Sequence, residues 1–355
     1  MRSGYGLLFL PIMLLYGLGS VADEAGPVAW LHGTDLFRPH NDPDDHWDLA
    51  CAYALAYRGE VDLRAVLIDA PPDRNPQYNP DIHAVSQLNL LTGLSVPVLV
   101  GSPGGESAAS SREIRAILRV LEESPRPMVI HVIGSCRDIA LAGQAAPDLF
   151  AKKCKAIYLN AGTGSPDPAK AAQMEYNVAL DPASYAAMFS LPCPIYWMPC
   201  FEEIGDLGQL EVRAYGTHYK FQQKTILPHL SAGLQAYFAY MFGQFLDHNW
   251  YHYLEQDPDS RLILNAGEAT RHMWCTGGFF HAAGYGINAQ GEQIPSDDAS
   301  SVFQFEPIQM TCTPDGVTHW QPATESNRFL FHIQNTEDYA NAMTQAMKPL
   351  LLEIP

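Results

Sequence analysis

The chain has 355 residues, 47% of them hydrophobic and only 17% charged, which suits one large folded domain and excludes a disordered protein. Acidic residues outnumber basic ones 39 to 21, for a formal net charge of -18. That balance argues against a nucleic-acid surface, where phosphates are met by clustered Lys and Arg. Seven cysteines, without any C-x-x-C spacing, sit mostly in apolar surroundings and read as buried thiols; they draw neither a zinc site nor a disulfide framework, although an exported protein could still form a bridge.

Residues 1–22 have the make-up of a secretory leader: Arg2 as a minimal basic start, an apolar run from Leu7 to Leu18, and Ser20-Val21-Ala22 as a small-x-small cleavage site. An uncleaved N-terminal anchor is the alternative. The mature chain, 23–355, then opens with an apolar run, Val28 to Leu31, expected to be a strand. Four acids follow closely, Asp35, Asp42, Asp44 and Asp45. Next comes a helix whose stripe is Leu49, Ala52, Tyr53 and Ala56. Asp42 can cap it, Pro43 suits its first position, and Asp45 stands where a capping-box acid would, so capping alone accounts for some of these carboxylates.

The pattern then alternates. Leu63 to Ile68 is a strand, Asn79-Pro80 opens a helix to about Thr92, and Val96 to Val100 is a strand. Ser110-x-x-Glu113 reads as a capping box before Ile114, Ile117, Leu118 and Leu121. Val129 to Ile133, Asp138 to Ala146 and Ala156 to Leu159 continue as strand, helix and strand. Asp181-Pro182 starts a further helix before the strand Ile195 to Met198, Ser231 to Leu246 is apolar at helical spacing, and Thr336 to Leu351 closes the chain as a helix. This order predicts an α/β fold: an open, mostly parallel, Rossmann-like sheet, helices on both faces, and ligands at the carboxyl ends of its strands. No internal repeat or long linker divides it, which favours one domain.

Thr34-Asp35 followed by Asn41-Asp42-Pro43-Asp44-Asp45, between a strand and an Ala/Leu-rich helix, resembles the TDxGNDxDD signature of the inosine-uridine-preferring nucleoside hydrolase family, with a few extra residues between Phe37 and His40. Glu175-Tyr176-Asn177-Val178-Ala179-Leu180-Asp181-Pro182 is similar to that family's EFN…DP segment. Fainter likenesses lie at Asn160-Ala161-Gly162-Thr163-Gly164 and at Gly134-Ser135-Cys136-Arg137-Asp138-Ile139-Ala140. The resemblance implies a nucleoside hydrolase-like fold, hydrolysis of the N-glycosidic bond of a nucleoside or related N-riboside, and one calcium ion. It implies Asp35, Asp45 and the Thr163 carbonyl as calcium ligands, Asp35 also as the base for water, and Asp44, Glu175 and Asn177 as ribose contacts. A carboxylate beside a carboxamide is chemically suited to vicinal hydroxyls.

The family's late His-Asp pair is absent. Arg271 to His281 contains no carboxylate, so Thr276, a neighbouring acid or water would have to supply the missing calcium oxygen. Trp274 is a candidate wall for the base and His272 a candidate proton donor, though a Trp in a Gly-rich apolar segment also suits the core. Asp69-Ala70-Pro71-Pro72 replaces a Gly-Asn turn usual in the family. Three functions stay open: an exported calcium-dependent ribohydrolase, a ribose- or nucleoside-binding protein without turnover, and a glycosidase for another sugar. The partner expected is a small riboside, not nucleic acid or, after leader cleavage, a membrane; a homo-oligomer is possible.

Overall fold

The computed structural model describes residues 26–37, 43–69, 80–102, 111–243, 249–258 and 260–355. The leader-like segment and the pair Asn41-Asp42 lie outside the described residues. In chain order the strands are β1 (Val28–Thr34), β2 (Val61–Ile68), β3 (Val98–Val100), β4 (Met128–Val132), β5 (Cys154–Asn160), β6 (Ile195–Met198) and β7 (Tyr219–Gln222). They continue as β8 (Thr270–Met273), β9 (Tyr285–Ile287), β10 (Gln293–Pro295), β11 (Phe303–Cys312), β12 (Thr318–Pro322) and β13 (Arg328–Ile333). The helices are α1 (Pro43–Tyr57), α2 (Pro80–Thr92), α3 (Arg112–Glu123), α4 (Arg137–Ala145), α5 (Pro147–Lys153), α6 (Pro168–Ala171) and α7 (Tyr176–Leu180). After them come α8 (Pro182–Met188), α9 (Ala232–Phe242), α10 (Trp250–Glu255), α11 (Ser260–Gly267), α12 (Thr276–Ala282) and α13 (Tyr339–Leu351).

Nine strands form one sheet in the order β12-β11-β13-β6-β5-β4-β1-β2-β3. From β3 to β13 neighbours run parallel, and β11 and β12 add an antiparallel edge. The order β3-β2-β1-β4-β5-β6 is that of a doubly wound sheet, whose chain direction reverses between β1 and β4. At such a switch point the loops leave in opposite directions and open a crevice at the carboxyl ends of the strands. The parallel core matches the sequence expectation. The antiparallel β11–β12 edge is the part that makes the sheet mostly and not wholly parallel, its strands joined by hairpin-like turns and not by helices.

The strands are buried on both faces because each face meets a helical layer. Ala29, Leu31, Ile130 and Ile157 pack with α3, α4, α5 and α8. Trp30, Val66, Val129 and Tyr158 pack with α1, α2, α9, α12 and α13. In α3 the apolar stripe Ile114, Ile117 and Leu121 is fully buried, and each side chain contributes about 1.5–3 kcal/mol of transfer free energy. Its cap is Ser111, whose Oγ accepts from the Ile114 N–H at 3.3 Å; the expected Ser110 lies outside the described residues. All seven cysteines are free thiols, six of them buried. Among the described residues no helix is long and apolar enough to cross a membrane.

One row of the sheet is unusual. His32, His131 and Tyr158 are neighbours across β1, β4 and β5, with the His131 and Tyr158 rings stacked at 5.2 Å. Tyr158 Oη stands 2.7 Å from His281 Nδ1 on α12, but both ring nitrogens of His32 and of His131 lack a hydrogen-bond partner among the described residues. Burial therefore holds His32 neutral, its pKa pulled down to about 3, and drives His131 well below the usual range. The unfolded chain binds protons on these rings below pH 6.5 while the folded chain does not. Their contribution is thus complete above 6.5 and is lost as pH falls toward 3. His32→Phe should flatten the acid side of the stability curve by about 1.4 kcal/mol per pH unit between pH 6 and 4, measured by urea unfolding. An unchanged slope would mean that the ring is already charged in the fold.

Candidate functional site

The crevice begins with α1, which enters directly after β1. Asp44, Asp45 and Asp48 are all buried, and each offers an oxygen within 4.8 Å of the other two. The helix explains the grouping, since residues three and four apart lie on one face. Asp45 Oδ2 accepts from the Thr34 hydroxyl and, at 3.1 Å, from the Asp35 N–H, so it fastens α1 to the end of β1. Leu36, buried and left-handed at φ 48°, turns the chain immediately afterwards, a conformation that costs about 1–2 kcal/mol for a residue with a Cβ. Phe37 N then donates to Asp81 Oδ1 at 2.9 Å.

More acids surround this group. Asp69, at the end of β2, accepts from the Ser135 N–H, and Asp138 accepts from the Ser102 N–H at 2.9 Å. Burial first, and then Asp138, push the Asp69 carboxyl well above the ordinary range against the pull of the Ser135 N–H. Gly134 is required between these strands, because a Cβ there would collide with Asp69 and crowd Asp35.

The second piece comes from the segment after β5. Glu175 is buried and serves as N-cap of α7, its carboxylate accepting from Gly162 N at 2.8 Å, Asn177 N at 2.9 Å and Val178 N at 3.3 Å. Burial raises its pKa while those three N–H groups oppose the rise. Gly162 is held at φ 87°, where the Tyr185 hydroxyl leaves no room for a Cβ. Asn177 Nδ2 donates to the Ile133 carbonyl at 3.0 Å and the Asn160 carbonyl at 3.2 Å. Both its amide hydrogens are thus engaged, which leaves the carboxamide oxygen to accept from a ligand hydroxyl.

Asp44, Asp45, Glu175 and Asn177 line a common cavity of about 410 Å³ with Ile133, Asn160 and Tyr176. Thr163 is not part of that lining. Its carbonyl accepts from the Thr318 hydroxyl at 3.5 Å and its own hydroxyl donates to the Gln173 carbonyl at 3.2 Å, so it braces the loop against β12. Asp35 is buried beside Asp45, but it is not a member of the compact group; Asp48 is.

The third wall is a ribbon made by β7 and β8. Trp274, His272 and Arg271 line the cavity together with Phe201 and Cys200. Trp274 packs edge-on to Phe201 at 5.8 Å, and His218 and His272 stack at 5.2 Å. His218 Nε2 and His272 Nδ1 are 2.9 Å apart and share one hydrogen. His218 Nδ1 is buried without a partner among the described residues. With the hydrogen on His218 Nε2, neutral His272 carries its own N–H at Nε2. Burial and then the other ring and Lys220 lower His218 to about 3; burial, Lys220 and Arg271 lower His272.

This architecture matches solved nucleoside hydrolases. An inosine-guanosine nucleoside hydrolase is similar over 91% of this chain and 99% of its own, with a TM-score of 0.51 and 14% identity. A purine-preferring ribonucleoside hydrolase from Gardnerella vaginalis gives 91% and 99%, 0.50 and 13%, and the plant nucleoside hydrolase PpNRh1 gives 91% and 99%, 0.50 and 12%. No protein-family profile matches the sequence, and no curated protein matches it. At such identities the likeness is one of nucleoside hydrolase fold.

On that fold the donor set suits a hard divalent cation. Three buried carboxylates within 4.8 Å repel one another unless a cation or protons intervene, and they offer oxygen only. Asp48, which sequence reasoning missed, is steadied by the Thr276 hydroxyl at 3.3 Å. Its signal was a lone acid inside the apolar run Trp47 to Ala56. Asp48→Asn should raise the thermal midpoint in chelator, by relieving repulsion, and should cancel the rise that added calcium gives the wild type; equal calcium shifts in both proteins would exclude Asp48 from the cation site.

Proposed function

We propose that this protein hydrolyses the N-glycosidic bond of a ribonucleoside or related N-riboside with the help of a calcium ion held by Asp44, Asp45 and Asp48. The observation that carries the reading is convergence: Asp44 and Asp45 of α1, the Glu175 and Asn177 pair and the Trp274–His272 wall face one cavity of about 410 Å³, within the size range of small-molecule sites. The calcium role deepens what the resemblance suggested. The carboxylate missing from Arg271–His281 is replaced here by Asp48, which Thr276 of that late segment contacts.

Bound calcium would supply a frame in which water and a sugar diol are held together. Asp35, buried against Asp45, is our base for the proton of that water. Glu175 retains lone pairs beyond its capping bonds, and with the carboxamide oxygen of Asn177 it accepts from ribose hydroxyls. As the glycosidic bond lengthens, positive charge grows on the sugar, and Asp44 at the cavity wall favours it. The departing base gains negative charge. A neutral His272, with hydrogen on Nε2, offers it a hydrogen bond, while Trp274 and Phe201 supply an apolar face. The leader-like residues 1–22 support export.

Calcium titration against a panel of nucleosides, with free base and ribose both scored, should give ribose at millimolar calcium and none in chelator. His272→Asn should lower kcat by about 10²-fold while changing KM little, and Asp45→Ala should stop release. Nucleosides left intact at every calcium concentration, with ribose still bound, would replace hydrolysis by a sugar-binding function.

A further inference from the structure

The β7–β8 ribbon has a second side. Its register sets Lys220 opposite His272 and Gln222 opposite Thr270, and beyond His272 lies another cavity, about 340 Å³, lined by Gly208, Lys220, Phe221, Gln222, Thr270 and His272. His272 belongs to both cavities, so they share a wall. Their chemistry differs. The first is walled by acids together with Arg271, whereas the described lining of the second holds an exposed lysine, with the Asp206 carboxylate accepting from the N–H of lining Gly208 at 3.0 Å. Lys220 Nζ donates to the Leu210 carbonyl at 3.1 Å and has two further hydrogens to give. Gln222 Nε2 reaches the Thr270 hydroxyl at 2.8 Å, adding polar groups along the floor.

A nucleoside needs only the first cavity, and in a chain of net charge -18 a lysine-bearing pocket against the site calls for its own explanation. We infer that the ligand is a phosphorylated riboside, its sugar at Asp44, Asp45, Glu175 and Asn177 and its phosphate past His272 at Lys220. The ammonium donates charge-assisted hydrogen bonds to phosphate oxygens, and Gln222 and Thr270 complete the polar floor. The substrate class of the hydrolase would then be nucleotides in preference to nucleosides. This inference rests on the riboside reading of the first cavity, but the second cavity can be examined separately from turnover.

Ribose and ribose 5-phosphate are titrated calorimetrically into the full chain in calcium, as wild type, Lys220→Ala and Lys220→Arg. Wild type should bind the phosphate ester at least about tenfold more tightly than ribose; Lys220→Ala should lose most of that factor with ribose affinity unchanged, and Lys220→Arg should keep it. Equal binding of the two sugars by wild type, or an equal loss of both in Lys220→Ala, overturns the phosphate site and leaves the riboside reading standing. If neither sugar binds wild type, the riboside reading and this inference fall together. As a kinetic check, kcat/KM for a nucleoside 5′-monophosphate should exceed that for its nucleoside, and the excess should vanish in Lys220→Ala; a higher value for the nucleoside overturns the inference.

Discussion

Carboxylates buried side by side repel one another, and the carboxyl edge of this sheet concentrates them: Asp35 after β1, Asp44, Asp45 and Asp48 on α1, Asp69 after β2 and Asp138 on α4 are all nearly or fully buried. Such a group is stable only if its charge is answered, and the fold answers it locally. Asp45 takes the Thr34 hydroxyl and the Asp35 N–H, Asp69 the Ser135 N–H, Asp138 the Ser102 N–H and Asp48 the Thr276 hydroxyl. Asp44, Asp45 and Asp48 together present an oxygen-only donor set of the kind that suits a divalent cation. The rest of the crevice is arranged around that set.

The same hydrogen bonds that answer the charge also fix the geometry. Asp45 joins α1 to β1, and Asn177 joins the segment before α8 to the ends of β4 and β5 through two carbonyls. Glu175 caps a helix of only five residues, too short to hold itself by its own backbone bonds, and so needs the Gly162 N–H as well. Structural and ligand-facing duties therefore fall on the same side chains. Removing either partner would disturb the fold and the cavity together, which is why the His272 and Lys220 side of the site, carried by a separate two-stranded ribbon, is the cleaner place to alter chemistry.

Much of the fold was written locally. Helical periodicity, the Pro43 and Pro182 starts and the β-branched strands gave the alternation of β1 through β6 almost element by element, because each of those signals acts within a few residues. The helix α5 and the ribbon β7–β8 were not anticipated: one begins immediately after α4 without a polar break, and the other joins strands whose paired residues are about fifty positions apart. In α3 the capping residue is Ser111, whose Oγ stands three residues before Ile114.

For the site, the sequence by itself determined the carboxylate-rich turn before α1, the Glu175 and Asn177 pair, and the absence of a late acid, since these are matters of residue identity and short spacing. Only the tertiary structure decided which of them meet. It added Asp48, Ile133 and the His218–His272 couple, set the Thr163 carbonyl beside the Thr318 hydroxyl, and left Asn177 with an acceptor alone. The reason is distance along the chain. The bond from Thr276 to Asp48 spans 228 residues, and a contact of that kind exists only after the sheet has closed its order and brought the ends of β1, β4 and β5 against α12.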